Sequence, residues 1–201
     1  MAGFTVIPLL MVFYYGLTDR SGAFTLANIL AIGSSEHLKA LWLSLLLAGV
    51  STVICLVLAY PLALILRKRH IGKGSFVVFI FILPMWMNFL LRTMAWQTLL
   101  EKNGVINTFL TLLHLPNVAI INTPAAIILG MVYNFLPFMV LPIYNTLVKI
   151  DDNVINAARD LGADNDQTLT KILIPLSVPG IVSGLTMVFV PALTTFVISN
   201  L

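Results

Sequence analysis

Charged residues are scarce in this sequence. Only 9% of its 201 residues are Asp, Glu, Lys or Arg, whereas 59% are hydrophobic. Soluble domains carry about 25% charged residues, so this shortage excludes an ordinary soluble domain and predicts an integral membrane protein, with the lipid bilayer as a partner. The net charge is only +3, and the basic residues do not cluster as a nucleic-acid footprint would require, so nucleic acid is not an expected partner.

Residue types that build metal and nucleotide sites are equally few. Cys55 is the single cysteine, which excludes an internal disulfide, and the three histidines lie scattered in or near loops. We therefore predict no metal site, and no Ser/His or His/Asp constellation of an intramembrane protease. No Gly-rich run ends in Lys-Ser or Lys-Thr, so any ATP must be bound by another chain. The sequence predicts a chain that is not an enzyme and that binds no cofactor itself.

Five long apolar runs predict an all-α, polytopic membrane bundle that forms a single domain over residues 1–201. The predicted spans are 1–17, 40–66, 75–99, 124–147 and 173–198. The first span would be about 25 Å long as a helix, which is short of a hydrocarbon core of about 30 Å. We expect its N-terminal end to be missing or wrongly started.

Acidic residues are absent from all five predicted spans. A carboxylate-lined cation channel or a proton relay would need such residues within the membrane. A secondary transporter would also show intramembrane ionisable residues and inverted repeats, so it remains a minor alternative.

The sidedness of the chain follows from a basic run at 67–74, which contains four Lys or Arg in eight residues. The positive-inside rule assigns this loop to the cytoplasm. Counting spans then assigns the polar loop 149–172 to the same side.

A long polar interval, 151–179, separates the last two predicted spans. Asp151 or Asp152 can cap a first helix by accepting a backbone N–H. Gly162 stands at the predicted helix C-terminus, where a residue in the left-handed backbone conformation is favoured. Four apolar residues recur at i, i+3, i+4 and i+7 and form one stripe on this helix: Val154, Ala157, Ala158 and Leu161.

A second short helix is predicted directly after the first. Asp164 with Gln167 three residues later resembles a capping box that opens it. Pro175 marks the start of the last span.

The spacing of this interval resembles the EAA loop of permease subunits in bacterial ABC importers. The likeness rests on Ala157-Ala158, on Gly162 and, after nine further residues, on Ile172-Leu173-Ile174-Pro175. In that family the loop carries a coupling helix that docks on the ATP-hydrolysing subunit. The resemblance implies a coupling loop built of Asn156, Ala157, Ala158, Asp160, Leu161, Gly162, Ile172 and Pro175. Asn156 stands where the family usually has Glu, and the plain alternative is an ordinary interfacial amphipathic helix.

A second stretch narrows the substrate class. Residues 83–93, Leu-Pro-Met-Trp-Met-Asn-Phe-Leu-Leu-Arg-Thr, followed by Asn-Gly-Val-Ile-Asn at 103–107, are similar to the first permease subunit of spermidine/putrescine importers. Ferric iron and sulfate remain alternative substrates within related importers. The family usually has six spans, so the five visible here suggest that the sixth is absent.

The family resemblance also implies the partners and the location. A second permease subunit, forming a heterodimer, would complete the path through the bacterial plasma (inner) membrane. Two ATPase subunits would bind ATP and Mg²⁺ on the cytoplasmic side, and an extracytoplasmic binding protein would deliver the substrate. The mechanism implied is alternating access.

Candidate path residues lie in the outer half of the third span and in the fourth. They are Trp86, Asn88, Arg92, Trp96 and Tyr133. The aromatic faces offer cation–π contacts to an alkylammonium, each worth about 0.5–2 kcal/mol, although belt or core packing explains them as well. Arg92 is expected to snorkel to the interface or to face a polar interior, because burying its charge in lipid is costly.

Overall fold

The computed structural model describes residues 2–19, 22–68, 83, 85–117, 121 and 123–195. Over these residues the fold is helical, as predicted, and strand pairing is limited to one isolated bridge between Thr18 and Phe24. The helices are α1 (Ala2–Gly16), α2 (Ala27–Ile32), α3 (Ser35–Lys68), α4 (Phe89–Leu100), α5 (Val105–Leu112), α6 (Pro124–Val148), α7 (Asp152–Asp160), α8 (Asn165–Thr168) and α9 (Ile174–Thr194). A π-helical segment, Leu169–Leu173, joins α8 to α9.

Three helical stretches in the described part are long and apolar enough to cross a membrane. They are Ser35–Lys68, Pro124–Val148 and the continuous run Asn165–Thr194. At 1.5 Å per residue the 34 residues of α3 extend about 51 Å, well beyond a hydrocarbon core of about 30 Å. The basic residues 69–74, the inner part of the third predicted span at 75–82, and residues 196–198 lie outside the described residues.

The chain before the second predicted span is more helical than the sequence suggested. Between the first two predicted spans, α2 lies within residues 18–39, and α3 already begins at Ser35 instead of at residue 40. Glu36 falls in the first turn of α3, where the positive end of the helix dipole favours an acidic side chain. The polar residues therefore extend the helix beyond the apolar run instead of ending it.

The third predicted span, 75–99, is not one continuous helix. Helical backbone at Met85 and Trp86 stops at Met87, and α4 begins afresh at Phe89. Asn88 takes an extended conformation, and its Oδ1 accepts the backbone N–H of Leu90 at 2.8 Å. Asn competes for local backbone donors in this way, so its side chain restarts the helix where hydrophobicity alone predicted continuity.

The last span begins earlier than predicted and merges with the second helix of the polar interval. The backbone N–H of Ile174 donates to the carbonyl of Leu169, five residues earlier, which is π-helical bonding. Pro175 follows at once, and its ring would clash with the carbonyl four residues before it in a regular α-helix. The wider π turn accommodates the proline, so the helix continues through it from Asn165 to Thr194.

The chain divides into two compact units at Leu46 and Leu47, inside α3. Within the first unit, the loop after α1 closes through the N–H of Asp19, which donates to the carbonyl of Ala23 at 2.9 Å. The side chain of Asn28 donates to the carbonyls of Tyr15 at 3.3 Å and Thr18 at 3.2 Å. These bonds tie α2 to the end of α1.

The second unit has its core between the later part of α3, α6 and α9. Small side chains of α3 are fully buried there: Ala48, Cys55, Ala59 and Ala63. Larger side chains of α6 fill the space against them: Met139, Val140, Ile143 and Leu147. Polar contacts add specificity, since Ser51 Oγ donates to Met131 Sδ at 3.4 Å and the hydroxyls of Tyr60 and Ser177 lie 3.1 Å apart.

Two glycines let α9 approach α6 closely. A Cβ added at Gly180 would lie 2.5 Å from Thr146 Oγ1 and 2.7 Å from the carbonyl oxygen of Pro142. A Cβ at Gly184 would lie 2.6 Å from Met139 Sδ. Gly180 and Gly184 form a small-xxx-small pattern, and here this pattern packs two helices of the same chain against each other.

Candidate functional site

The candidate coupling helix, α7, starts at a side-chain cap. Asp151 is extended, with φ −65° and ψ 134°, and its carboxylate accepts the backbone N–H of Asn153 at 2.9 Å. This confirms the predicted cap. Asp152 in the first turn adds a negative charge where the helix dipole favours one.

Gly162 follows the C-terminus of the helix and has φ +86°, the left-handed conformation that the sequence predicted. The N–H of Gly162 donates to the carbonyl of Arg159 at 2.9 Å, and the N–H of Ala163 donates to that of Ala158 at 3.0 Å. These two bonds make a Schellman motif, which satisfies carbonyls that the helix leaves unpaired. A Cβ at Gly162 would meet nothing within 4 Å, so the glycine is required by backbone conformation and not by space.

The apolar stripe of α7 faces away from its own chain. Leu161 is 90% exposed, Val154 and Ala157 are exposed, and Ala158 is half-buried. The one residue of α7 that is buried is Ile155, on a different face. A capped amphipathic helix thus presents an apolar surface that the described residues of this chain do not cover, with two alanines at its centre.

The second part of the coupling loop is capped at Asp164, whose carboxylate accepts the N–H of Gln167 at 2.7 Å. This is the first of the two bonds of the predicted capping box. Ile172 lies in the π-helical segment and is half-buried, and Pro175 lies exposed in the first turn of α9. Ile172 and Pro175 therefore belong to a continuous helix, while Asp160 and Asn156 lie exposed on α7.

One contact at this loop was not predicted. Arg67, next to last in α3, donates through Nη2 to the carbonyl of Ile150 at 2.9 Å and to Asp152 Oδ1 at 3.0 Å. From the sequence, Arg67 was predicted only to be part of the basic run at 67–74. The partners lie 83 and 85 residues away, so no local pattern could reveal the contact.

The predicted path residues divide into two groups. Trp96 and Tyr133 come together, with ring centroids 5.2 Å apart at an interplanar angle of 69°. They border an apolar hollow of about 530 Å³ between α3, α4 and α6. Trp86 is exposed, and the side chain of Asn88 is engaged in capping α4.

Of the two environments expected for Arg92, the interface and a polar interior, the structure places it in the interior. Arg92 is only 8% exposed, and Nε and Nη1 have no hydrogen-bond acceptor in the part of the chain that the structure describes. Its guanidinium carbon lies 6.0 Å from the centroid of the Phe89 ring, which offers a weak cation–π contact. Thr93, the next residue of α4, is buried as well.

In the described residues, no three or more His, Cys, Asp or Glu side chains come together as a group that could hold a metal ion.

Comparison with known proteins places these features in one family. Residues 42–201 match the family model described as "Binding-protein-dependent transport system inner membrane component". The chain is 35% identical to the spermidine/putrescine transport system permease protein PotB of Haemophilus influenzae, over 98% of the chain and 72% of that protein. It is 37% identical to PotB of Escherichia coli, over 98% of the chain and 75% of that protein. It is also 31% identical to the inner membrane ABC transporter permease protein YdcU of Escherichia coli, over 88% of the chain and 61% of that protein.

The match to the family model covers the capped α7, the Gly162 turn, the proline after the π segment and the apolar helices on both sides. The same residues carried the resemblance in the sequence. The chain belongs to the family of inner membrane components of binding-protein-dependent transport systems.

Proposed function

We propose that this chain is a permease subunit of an ATP-driven importer for polyamines of the spermidine/putrescine kind. It forms part of the path through the plasma membrane and couples to a separate ATPase through α7. A second permease subunit, two ATPase subunits that bind ATP and Mg²⁺, and an external binding protein complete the assembly. The observation that carries this proposal is the exposed apolar stripe of a doubly capped helix within the family's loop.

The exposed stripe supports docking on another protein. A nine-residue helix is too short to be stable by itself, so its two caps keep it folded while Leu161 and Val154 stay uncovered. The alanines at the centre expose little side chain, which lets a partner's backbone approach closely. An interfacial helix lying on lipid would need the same stripe, and the transport test below separates these two uses.

A cytoplasmic location of the loop is supported by charge. Arg67 and Lys68 close α3, and Arg67 contacts Asp152 at the start of α7, so this basic pair and the loop lie at the same end of the unit. Basic residues beside membrane helices favour the cytoplasmic side. An ATPase subunit is reached from that side.

The substrate class is supported by the relatives, because both PotB proteins are named for spermidine and putrescine. The chain also offers contacts suited to a flexible polycation: Trp96 and Tyr133 pack edge to face, and a ring face left open by this pair can bind an alkylammonium by cation–π attraction. Such contacts are weak, and weak contacts suit a path because tight binding would slow release. Arg92 carries the same sign of charge as the substrate, so we expect it to repel a polyamine and not to bind one.

The proposed mechanism is alternating access. Closure of the two ATPase subunits on ATP moves the docked α7, and the permease pair then opens toward the loaded binding protein. Hydrolysis resets the pair. In this mechanism Gly162 sets the angle at which α7 leaves the bundle, and Leu161 supplies an apolar contact.

The test is coupled transport by the full chain in liposomes, assembled with its ATPase, second permease and binding protein. Gly162→Val should insert and fold, because a Cβ there meets nothing within 4 Å. It should lower spermidine uptake by about tenfold or more, because a β-branched residue is strained at positive φ and reorients the docking surface. Gly162→Asn is the matched control and should stay close to the parent, since Asn tolerates the left-handed region.

Each outcome has a clear meaning. Spermidine-stimulated hydrolysis in the parent, with uptake lost in Gly162→Val and kept in Gly162→Asn, supports both coupling and substrate class. If only ferric iron or sulfate stimulates ATP hydrolysis, the chain is still an importer permease, but polyamines are excluded as its substrate. Parental uptake by Gly162→Val contradicts the coupling role of this turn.

A further inference from the structure

We propose that Arg67 is a positioning residue for coupling, which holds the coupling helix to the membrane bundle so that motion of α7 is passed to α3 and α6. This rests on the proposed function, because it assigns a role within the same coupling loop. The tie consists of Arg67, the carbonyl of Ile150 and the carboxylate of Asp152, and it is called the Arg67 tie below.

The geometry joins three helix ends at one nitrogen atom. Arg67 lies in the last turn of α3, Ile150 lies two residues after the end of α6, and Asp152 is the first residue of α7. Nη2 lies 2.9 Å from the Ile150 carbonyl oxygen and 3.0 Å from Asp152 Oδ1. A displacement of α7 that keeps these bonds must move the ends of both bundle helices with it.

Burial makes the Arg67 tie more than a surface ion pair. The side chain of Arg67 is 12% exposed, while that of Asp152 is 67% exposed. Exposed pairs contribute little because water competes for both charges. Here the cation is largely withdrawn from water and also holds a backbone carbonyl, so losing it leaves that carbonyl without this donor.

Close packing does little to hold α7 in place. Ile155 is its one buried residue, and a cavity of about 610 Å³ lies beside it, bordered by Leu64, Arg67, Arg159, Thr168 and Leu173. Apolar contact across this cavity is therefore sparse. The Arg67 tie attaches the N-terminal end of α7 to α3 through an ion pair.

A simpler role for Arg67 is that of a positive charge at the cytoplasmic end of α3. Such a charge satisfies the positive-inside rule and complements the helix C-terminus. Lys68 also supplies such a charge, but it is exposed. It borders the same cavity beside α7, while the ion pair to Asp152 is made by Arg67. Variants of Arg67 and Lys68 therefore distinguish an effect of positive charge from an effect of the contact with α7.

The experiment compares Arg67→Met with the matched control Lys68→Met in the full transporter in liposomes. Spermidine uptake and ATP hydrolysis are measured together, and binding of the ATPase is followed by co-purification. For Arg67→Met we expect the ATPase to stay bound and to hydrolyse ATP, while uptake per ATP falls about tenfold. Lys68→Met should keep the parental ratio, and Arg67→Lys should recover part of the loss.

A second variant keeps the proposal testable if Arg67→Met does not assemble. Asp152→Asn removes the carboxylate from an exposed position and keeps the bond to Ile150, so uptake per ATP should fall by a smaller factor. The double variant should lose no more than Arg67→Met alone, because both changes act on one contact.

The results that overturn the Arg67 tie differ from those that overturn the proposed function. If Arg67→Met keeps the parental uptake per ATP, the Arg67 tie has no role in coupling and the permease proposal is unaffected. If Arg67→Met fails to assemble, a parental uptake per ATP in Asp152→Asn has the same meaning. If Lys68→Met loses as much uptake per ATP as Arg67→Met, the effect is due to charge alone, which also contradicts a role for the Arg67 tie. If the parent protein binds no ATPase, the result contradicts the proposed function itself.

Discussion

The atoms that surround a glycine in this bundle decide whether a larger residue can replace it. At Gly180 an added Cβ would meet the Pro142 carbonyl oxygen at 2.7 Å, and that oxygen belongs to the backbone of α6. At Gly184 the nearest atom is Met139 Sδ, at 2.6 Å, which belongs to a flexible side chain, and the nearest backbone atom, the Met139 carbonyl oxygen, is farther away at 3.3 Å. Two glycines that look equivalent in sequence therefore face neighbours of different stiffness.

We expect Gly180→Ala to lower the free energy of unfolding by about 1–3 kcal/mol, because α6 and α9 must separate to admit the methyl group. Gly184→Ala should cost less, since Met139 can change rotamer. Thermal unfolding of both variants in the same detergent measures the difference. An equal loss of stability in the two variants would contradict this assignment.

At the scale of an element, α7 shows how a short helix can remain folded with its apolar side uncovered. Asp151 satisfies a donor at its start, and the turn at Gly162 satisfies carbonyls at its end. These bonds depend on neighbouring residues only, so they form without burying the stripe. The exposed Leu161 is then available to a partner.

Leu161→Ser should weaken binding of the ATPase about tenfold, because burying a leucine side chain contributes about 1.5–3 kcal/mol. The variant should fold normally, since Leu161 is 90% exposed in the chain. Leu112→Ser on α5 is the matched control, because Leu112 is also exposed, at 74%, and lies away from the loop. Titration of the ATPase onto each protein in nanodiscs gives both dissociation constants, and equal values would exclude Leu161 from the docking surface.

At the scale of the whole molecule, the order of helices in the second unit predicts a topology. Asn103 precedes α6 and Asp166 follows it, and α6 with 25 residues is about 37 Å long, enough to cross a hydrocarbon core. The two positions should therefore lie on opposite sides of the membrane. The single native cysteine, Cys55, is fully buried and should not interfere with labelling.

Asn103→Cys should react with a membrane-impermeant maleimide on intact spheroplasts, whereas Asp166→Cys should react only after permeabilisation. The parent protein, with Cys55 alone, should stay unlabelled in both conditions. Labelling of both introduced cysteines from the same side would contradict the crossing by α6 and the cytoplasmic location of the coupling loop.

Features set by neighbouring residues were predictable from the sequence. Asp151, Gly162 and Asp164 have the capping roles that their positions indicated, and α6 ends within one residue of the predicted limit. Helix caps and apolar runs are local, because their bonds join residues no more than a few positions apart. The coupling loop and the membrane class could be recognised for this reason.

Other features needed the tertiary structure. The restart of α4 at Phe89 and the π segment before Pro175 depend on which of several local bonding patterns the surrounding helices favour. Arg92 was expected either at the interface or against a polar interior, and only the packed structure shows that it is buried. Hydrophobicity measures the average environment of a segment and does not determine which way one side chain points.

By itself the sequence determined an all-α membrane protein with a capped, amphipathic coupling helix, because composition and short-range bonds suffice for those properties. Only the tertiary structure decided which face of α7 stays uncovered, that Trp96 meets Tyr133, and that Arg67 joins α3 to residues more than 80 positions later. Each of these depends on how helices distant in sequence pack together, and the pattern within one helix carries no information about its neighbour.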